Sequence, residues 1–266
     1  MIKYIFCDLD GTLYNDTISE RDIRAIEFAE GLDIQFNIAT GRVHTHAQNI
    51  IRNINFNGYL ICENGSYIYD RDNQCIFKGV LSDTQIKKII EVYSSIAYID
   101  FGKDVIYFKY GGEVIMPNDG SKSGYFKSGY KIDPEIMSKK TYASNVGNIG
   151  ISSLDRDKLN MLVEDFKKKI GHECEVYISS EYTMNIVPKL ISKLNAIKQV
   201  CKMNNISLDE VATIGDSPND INMLGGVKMS FAMSKSAEAV KASAAYETPS
   251  VADAINMIMD YNSVLK

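Results

Sequence analysis

The stretch Ile2-Lys3-Tyr4-Ile5-Phe6-Cys7-Asp8-Leu9-Asp10-Gly11-Thr12-Leu13 decides the reading of the fold. Residues 2–7 are apolar and rich in β-formers without clean alternation, the pattern of a strand buried on both faces of a parallel sheet. The run stops at an acid, a second acid two residues on, and a glycine. Two other strand-like runs also end in short polar residues with a glycine nearby. Residues 34–39 stop at Thr40-Gly41-Arg42, and residues 211–214 stop at Gly215-Asp216-Ser217-Pro218-Asn219-Asp220. In open parallel sheets ligands bind beyond the carboxyl ends of the strands, so these three endings form the candidate site.

Between the first two runs the sequence predicts a helix from about Ser19, where Ser19 and Asp22 resemble a capping box and Gly31 marks the stop. Residues 43–51 read as a helix, 59–62 as a strand, and 66–69 with 75–77 as a hairpin. Strand alternating with helix means a parallel α/β sheet. From Ser82, with Gln85 completing a cap, the pattern changes to a helix followed by a hairpin of residues 97–101 and 105–110 joined at Gly102-Lys103. Residues 111–131 read as a long loop or short irregular strands. A helix at 155–170 and strands at 174–179 and 184–187 complete the insert. Parallel character then returns with a helix from Lys193 behind the cap candidate Ser192. The fold class is therefore α/β: a parallel-sheet, Rossmann-like core (1–79 and 188–266) split around an inserted α/β domain (80–187).

Composition narrows the partners. The 266 residues are 45% hydrophobic and 24% charged, as in an ordinary globular protein. A formal net charge of -5 gives no general attraction for a nucleic-acid backbone, so small molecules are the expected partners. The five cysteines form no C-x-x-C pair, which suggests neither a disulfide framework nor a zinc site. No secretory signal and no apolar run of membrane-spanning length is read. A cytoplasmic monomer or weak homo-oligomer is the expectation.

The chemistry lies in the acids. Asp8 and Asp10 are two apart past an extended strand, so both side chains point the same way, roughly 7 Å apart at Cα. An aspartate ionised at neutral pH is a ready nucleophile for phosphorus, and the second could protonate a leaving alcohol and later take a proton from water. Taken alone, such a pair more often caps the next turn. Asp216, joined by Asp8, would supply the hard oxygen ligands that magnesium prefers, with Asn219 and Asp220 orienting the loop behind it. That loop alone could be a solvated turn. Gly11 lets backbone amides approach a phosphate and Thr12 adds a hydroxyl. Thr40 and the amides after it face the same anion at a helix start, and Lys193 adds a fixed positive charge. Tyr107, Tyr110, Tyr125 and Tyr130 face a substrate or simply cover the inserted domain, and Lys122 and Lys127 read as loop solvation.

With these strings the sequence resembles the haloacid dehalogenase-like superfamily, and within it the Cof-type sugar-phosphate phosphatases with the larger α/β cap. The resemblance spans essentially the whole chain. It is strongest at Asp8-Leu9-Asp10-Gly11-Thr12-Leu13, Ile38-Ala39-Thr40-Gly41-Arg42, Glu63-Asn64-Gly65 and Gly215-Asp216-Ser217-Pro218-Asn219-Asp220. It implies a magnesium-dependent phosphatase of small phosphate monoesters working through an aspartyl-phosphate. Asp8 would be the nucleophile, Asp10 the acid/base, and Asp8, the Asp10 carbonyl and Asp216 the metal ligands. Thr40, Gly41, Arg42, Lys193 and Asn219 would contact phosphate or substrate. Two departures from the family pattern, Ala232-Met233-Ser234-Lys235-Ser236-Ala237 and Val251-Ala252-Asp253, lie outside the chemical strings. A phosphomannomutase-like phosphoryl transferase and a non-catalytic phosphate-binding module are the competing readings.

Overall fold

Every residue of β1 (Tyr4–Cys7) is buried: a parallel neighbour pairs with it on each side, and helices pack on the faces of the sheet it belongs to. The computed structural model describes residues 1–52, 54–123, 126 and 128–264. The chain continues through α1 (Glu20–Glu30), β2 (Gln35–Ala39), α2 (His44–Ile51), β3 (Leu60–Cys62), β4 (Tyr67–Tyr69) and β5 (Cys75–Lys78). An inserted stretch follows with α3 (Asp83–Ser95), β6 (Val105–Tyr110), β7 (Glu113–Met116), β8 (Lys131–Ile132), β9 (Val146–Ser152), α4 (Arg156–Ile170), β10 (Cys174–Ser180) and β11 (Thr183–Pro188). The last part contains α5 (Lys193–Met203), β12 (Val211–Gly215), α6 (Ile221–Gly225), β13 (Met229–Met233), α7 (Glu238–Lys241), β14 (Tyr246–Thr248) and α8 (Val251–Val264).

The molecule divides into two units. Met1–Arg42, Ala47–Phe77 and Ser192–Lys266 make the first, and Val43–His46 with Lys78–Ile191 the second. The first is built on an eight-stranded sheet of order β14-β13-β12-β1-β2-β3-β4-β5, parallel from β14 to β3 and antiparallel at β3·β4. Phe6, Ala39 and Ile61 pack against Ala196, Ile197 and Val200 of α5, while α1 and α8 pack on each other and against β2 and β12. Ser19 caps α1 by accepting from the Asp22 amide, and Gly31 ends the helix. This is the Rossmann-like α/β core that the sequence predicts.

The second unit holds a six-stranded sheet of order β10-β11-β9-β6-β7-β8, antiparallel except at β7·β8. Ile106, Phe108, Ile149, Ile151 and Ile186 form one core with Ile86 and Ile89 of α3 and Leu162 and Phe166 of α4. Ser82 and Gln85 form the predicted capping box on α3.

Two sequence expectations fail in this unit. Residues 97–101 are not a strand. They fold into turns in which the Asp104 amide donates to the Asp100 carbonyl and the Asp104 carboxylate accepts from the Asp100 amide. The hairpin forms one element later, β6 with β7, because Gly111 and Gly112 both take the positive φ that a tight two-residue turn requires. β9 was not foreseen at all, yet it lies between β11 and β6 and is buried throughout. In residues 111–131, read as a loop or irregular strands, the structure shows β7 and the start of β8. Tyr125 and Lys127 lie outside the described residues. Tyr107 is buried with its ring edge-on to Phe126, and the Tyr130 hydroxyl donates to Asp119.

Candidate active site

Sheet register explains why residues far apart in sequence meet. Cys7 pairs with Ile38 on β2 and with Ile214 on β12, so the next residues of all three parallel strands leave the sheet at the same edge. Asp8 therefore stands between Thr40 and Asp216. Its amide donates to the Ile214 carbonyl, which holds the backbone on β12 for one residue beyond the strand.

The Asp8 carboxylate is buried and accepts from the Lys193 Nζ at 2.6 Å. The same ammonium donates to Asp220 Oδ1 at 2.6 Å, and the lysine is 1% exposed. Ser192 caps α5 through the Asn195 amide and so sets Lys193 as the first residue of the helix. Asp220 accepts with its other oxygen from the amides of Asp216 and Ser217, and this fixes the loop that carries Asp216. Asp216 in turn accepts from the Thr12 hydroxyl at 2.8 Å and from the Ser217 hydroxyl at 3.0 Å. Gly11 has φ +80, and a Cβ there would lie 2.4 Å from Asp216 Oδ2, so only glycine lets the two loops approach this closely.

Carboxylate oxygens of Asp8, Asp216 and Asp220 lie within 4.8 Å of one another. Three acids against one lysine leave excess negative charge in a poorly solvated place. Burial raises the Asp8 carboxyl well above its ordinary range, Lys193 opposes this, and Asp220 and Asp216 add to it. Burial and then Asp220 also raise Asp216. Burial by itself would lower Lys193, but Asp220 and Asp8 outweigh it and hold the ammonium charged. The donor set is all hard oxygen and over-supplied with charge, which fits a magnesium ion on Asp8 and Asp216. Asp220, committed to Lys193 and two amides, serves as their support.

Asp10 is held differently. Arg42 grips it with two parallel bonds, Nε to Oδ2 at 2.7 Å and a terminal nitrogen to Oδ1 at 2.6 Å, and lies over the Tyr14 ring. The pair is partly exposed, with side-chain exposures of 35% and 48%. Thr40 accepts from the Arg42 amide through its hydroxyl, and Asn219 donates to Asn64 at 2.8 Å. Thus Asp8, Asp216, Asp220, Thr12, Gly11 and Lys193 converge directly. Arg42, read as a substrate contact, holds the second acid, and Asn219 engages Asn64. Sequence reasoning missed that Arg42–Asp10 pair, the Ser217 hydroxyl and Asn64. Only the Glu63-Asn64-Gly65 string signalled the last.

The acids give a pH prediction whose sign follows from linkage. A carboxyl raised in the folded state binds more protons there than when unfolded, so the metal-free protein loses stability as pH rises from the ordinary carboxylate value, ~4, through the raised values of Asp8 and Asp216. A cation that takes those charges should offset the loss. The melting-temperature gain from magnesium is therefore expected to be larger at neutral pH than at mildly acidic pH. Calorimetric scans across that range, with magnesium and with chelator, would show it; a gain that shrinks as pH rises would contradict it.

A parallel α/β sheet here gathers three acids, a buried lysine and a tight glycine loop at the carboxyl ends of its strands. The pattern of the haloacid dehalogenase-like hydrolases matches residues 5–258, and the chain belongs to that family. It is 26% identical over 249 residues to the 5-amino-6-(5-phospho-D-ribitylamino)uracil phosphatase YcsE of Bacillus subtilis, covering 93% of this chain and 90% of that protein. It is 25% identical to the phosphatase YwpJ of the same organism, over 99% and 97% of the two chains. Among solved structures, a haloacid dehalogenase-like hydrolase from B. subtilis shares the fold with a TM-score of 0.81 at 22% identity, over 96% of this chain and 99% of that one.

Proposed function

We propose that the protein is a magnesium-dependent phosphatase that hydrolyses small phosphate monoesters through an aspartyl-phosphate on Asp8. The observation that carries the reading is the Asp8 carboxylate clamped by buried Lys193, beside Asp216, at the edge where Asp10 also emerges. An oxygen of Asp8 forms a bond to phosphorus while the bond from phosphorus to the leaving oxygen breaks, its electron pair going to that oxygen and a proton following from Asp10. Water then attacks phosphorus, gives a proton to Asp10, and the phosphorus bond to Asp8 breaks to restore the carboxylate. Asp8, Asp216 and the Asp10 carbonyl would hold magnesium, which would supply positive charge to the phosphoryl oxygens. Lys193 adds a second, fixed positive charge, and Gly11, Thr12, Thr40 and Gly41 line the anion with amides and hydroxyls. Asn219 reaches the same anion, and Arg42, which holds Asp10 as a carboxylate through both oxygens, has to release one of them for Asp10 to carry the proton between water and the leaving oxygen.

The substrate class is a sugar phosphate or related metabolite, in keeping with the named ribityl-phosphate substrate of YcsE. We read the inserted unit as a cap domain bounded near residues 80 and 187, and the protein as a cytoplasmic monomer or weak homo-oligomer. Five free cysteines suit a reducing compartment, and no helix among the described residues is long and apolar enough to cross a membrane. The test is release of inorganic phosphate from a broad panel of phosphoesters. Release is expected with magnesium and not with chelator, and with water as acceptor even when a sugar is offered. Metal-independent release, or transfer to the sugar, would reject the reading.

A further inference from the structure

The Glu63-Asn64-Gly65 turn has no role in the chemistry above, yet it is bonded to two of the three site loops. Its residues take positive φ in succession, 53, 60 and 108. The Glu63 amide donates to the Arg42 carbonyl and the Asn64 amide to the Thr40 carbonyl at 3.0 Å. The Asn64 side chain, 2% exposed, accepts from Asn219 Nδ2. It also lies against Gly41, where an added Cβ would be 3.2 Å from Asn64 Oδ1 and 3.5 Å from Nδ2.

One feature of this side chain is unfavourable. Asn64 Nδ2 and Asn219 Oδ1 are buried without a hydrogen-bond partner among the described residues. Burying unsatisfied amide groups costs free energy that a turn does not need to spend. Glycine at position 64 would take the same left-handed backbone more easily and bury no amide at all. The asparagine is therefore explained by its side chain and not by the turn.

We infer that Asn64 is a positioning residue for the phosphate subsite: its amide fixes the orientation of Asn219 and the path of Thr40-Gly41, so that both loops meet the anion already aligned. Prealigned groups lose less freedom when the ligand arrives, so the effect belongs to anion binding. The inference rests on the phosphatase reading for the identity of the anion, and it has its own assay.

Binding of inorganic phosphate in the presence of magnesium is measured by titration calorimetry for wild type, Asn64→Gly, Asn219→Ala and the double variant. Each single variant is expected to bind about tenfold more weakly, and the double variant by clearly less than the product of the two losses, because part of the Asn64 effect passes through Asn219. The melting temperature of Asn64→Gly should stay near that of wild type, since the turn is kept. Wild-type affinity in Asn64→Gly, or losses that multiply in the double variant, would overturn the inference. A second readout needs no change at position 64: the side-chain amide signals of Asn64 and Asn219 in the NMR spectrum of the wild-type protein should both shift on adding phosphate, and an unmoved Asn64 would overturn it too. Turnover of phosphoesters by wild type tests the phosphatase reading separately, so either can fail while the other stands.

Discussion

Replacing Asp8 with asparagine is expected to lower kcat by at least about 10⁴-fold while leaving the metal-free fold as stable as before or more so. The two effects have separate causes. The amide has no anionic oxygen to bond to phosphorus, and neither Asp216 nor Asp220 can substitute. Asp216 is tied to Thr12 and Ser217, and Asp220 to Lys193 and two backbone amides. Stability goes the other way because the Asp8 charge is buried and crowded by two like charges, which raise its carboxyl. Removing a charge the fold holds at a cost relieves that cost, the usual trade between a strained site and stability. Steady-state kinetics with magnesium and thermal melts with chelator test both halves. A variant that keeps appreciable turnover, or that melts well below wild type, would count against the assignment.

Lys193→Met should do the opposite to stability. The ammonium is fully buried and lies 2.6 Å from each of two carboxylates. Methionine fills similar space but leaves Asp8 and Asp220 facing each other with no cation between them. Breaking a buried ion pair from one side costs about 3–5 kcal/mol. For a chain of this size that corresponds to a fall in melting temperature on the order of 10 °C. Catalysis should fall as well, by about 10²–10³ in kcat/KM, since a fixed charge on the phosphoryl oxygens is lost. The loss of stability should be smaller when Asp8 is already asparagine, because only Asp220 is then stranded. Equal losses in both backgrounds would show that Lys193 is not held by Asp8 as described.

The core was legible in sequence where burial on both faces leaves runs of mostly apolar β-formers. Residues 2–7, 34–39 and 211–214 each end in short polar residues and a glycine that a buried strand does not favour, so strand ends and site residues announced each other. The inserted unit was less legible. β9 reads Val-Gly-Asn-Ile-Gly-Ile-Ser, and two glycines with an asparagine are poor strand formers. It is a strand because partners on both sides supply its hydrogen bonds, which is tertiary information. Residues 97–101 misled in the reverse direction: they are apolar enough for a strand, but the Asp100 and Asp104 side chains bind nearby amides and close a turn first. Within the site the same limit applies. The acids could be named from their spacing, whereas the grip of Arg42 on Asp10 spans 32 positions and depends on the β1·β2 register. The junction of Asn64 with Asn219, 155 positions apart, is likewise a product of the fold.

On the proposed mechanism one carboxylate, that of Asp8, becomes bonded to phosphorus during turnover. An acyl-phosphate is reduced by borohydride to an alcohol, whereas a free carboxylate is not, so the modified aspartate would be left as homoserine. Enzyme turning over a reactive phosphoester with magnesium is quenched in acid, treated with borohydride, digested and sequenced by mass spectrometry. Homoserine is expected at position 8 alone, only when substrate was present, and not in the Asp8→Asn variant. Homoserine at another aspartate, or an unmodified Asp8 in enzyme quenched during rapid turnover, would contradict the account.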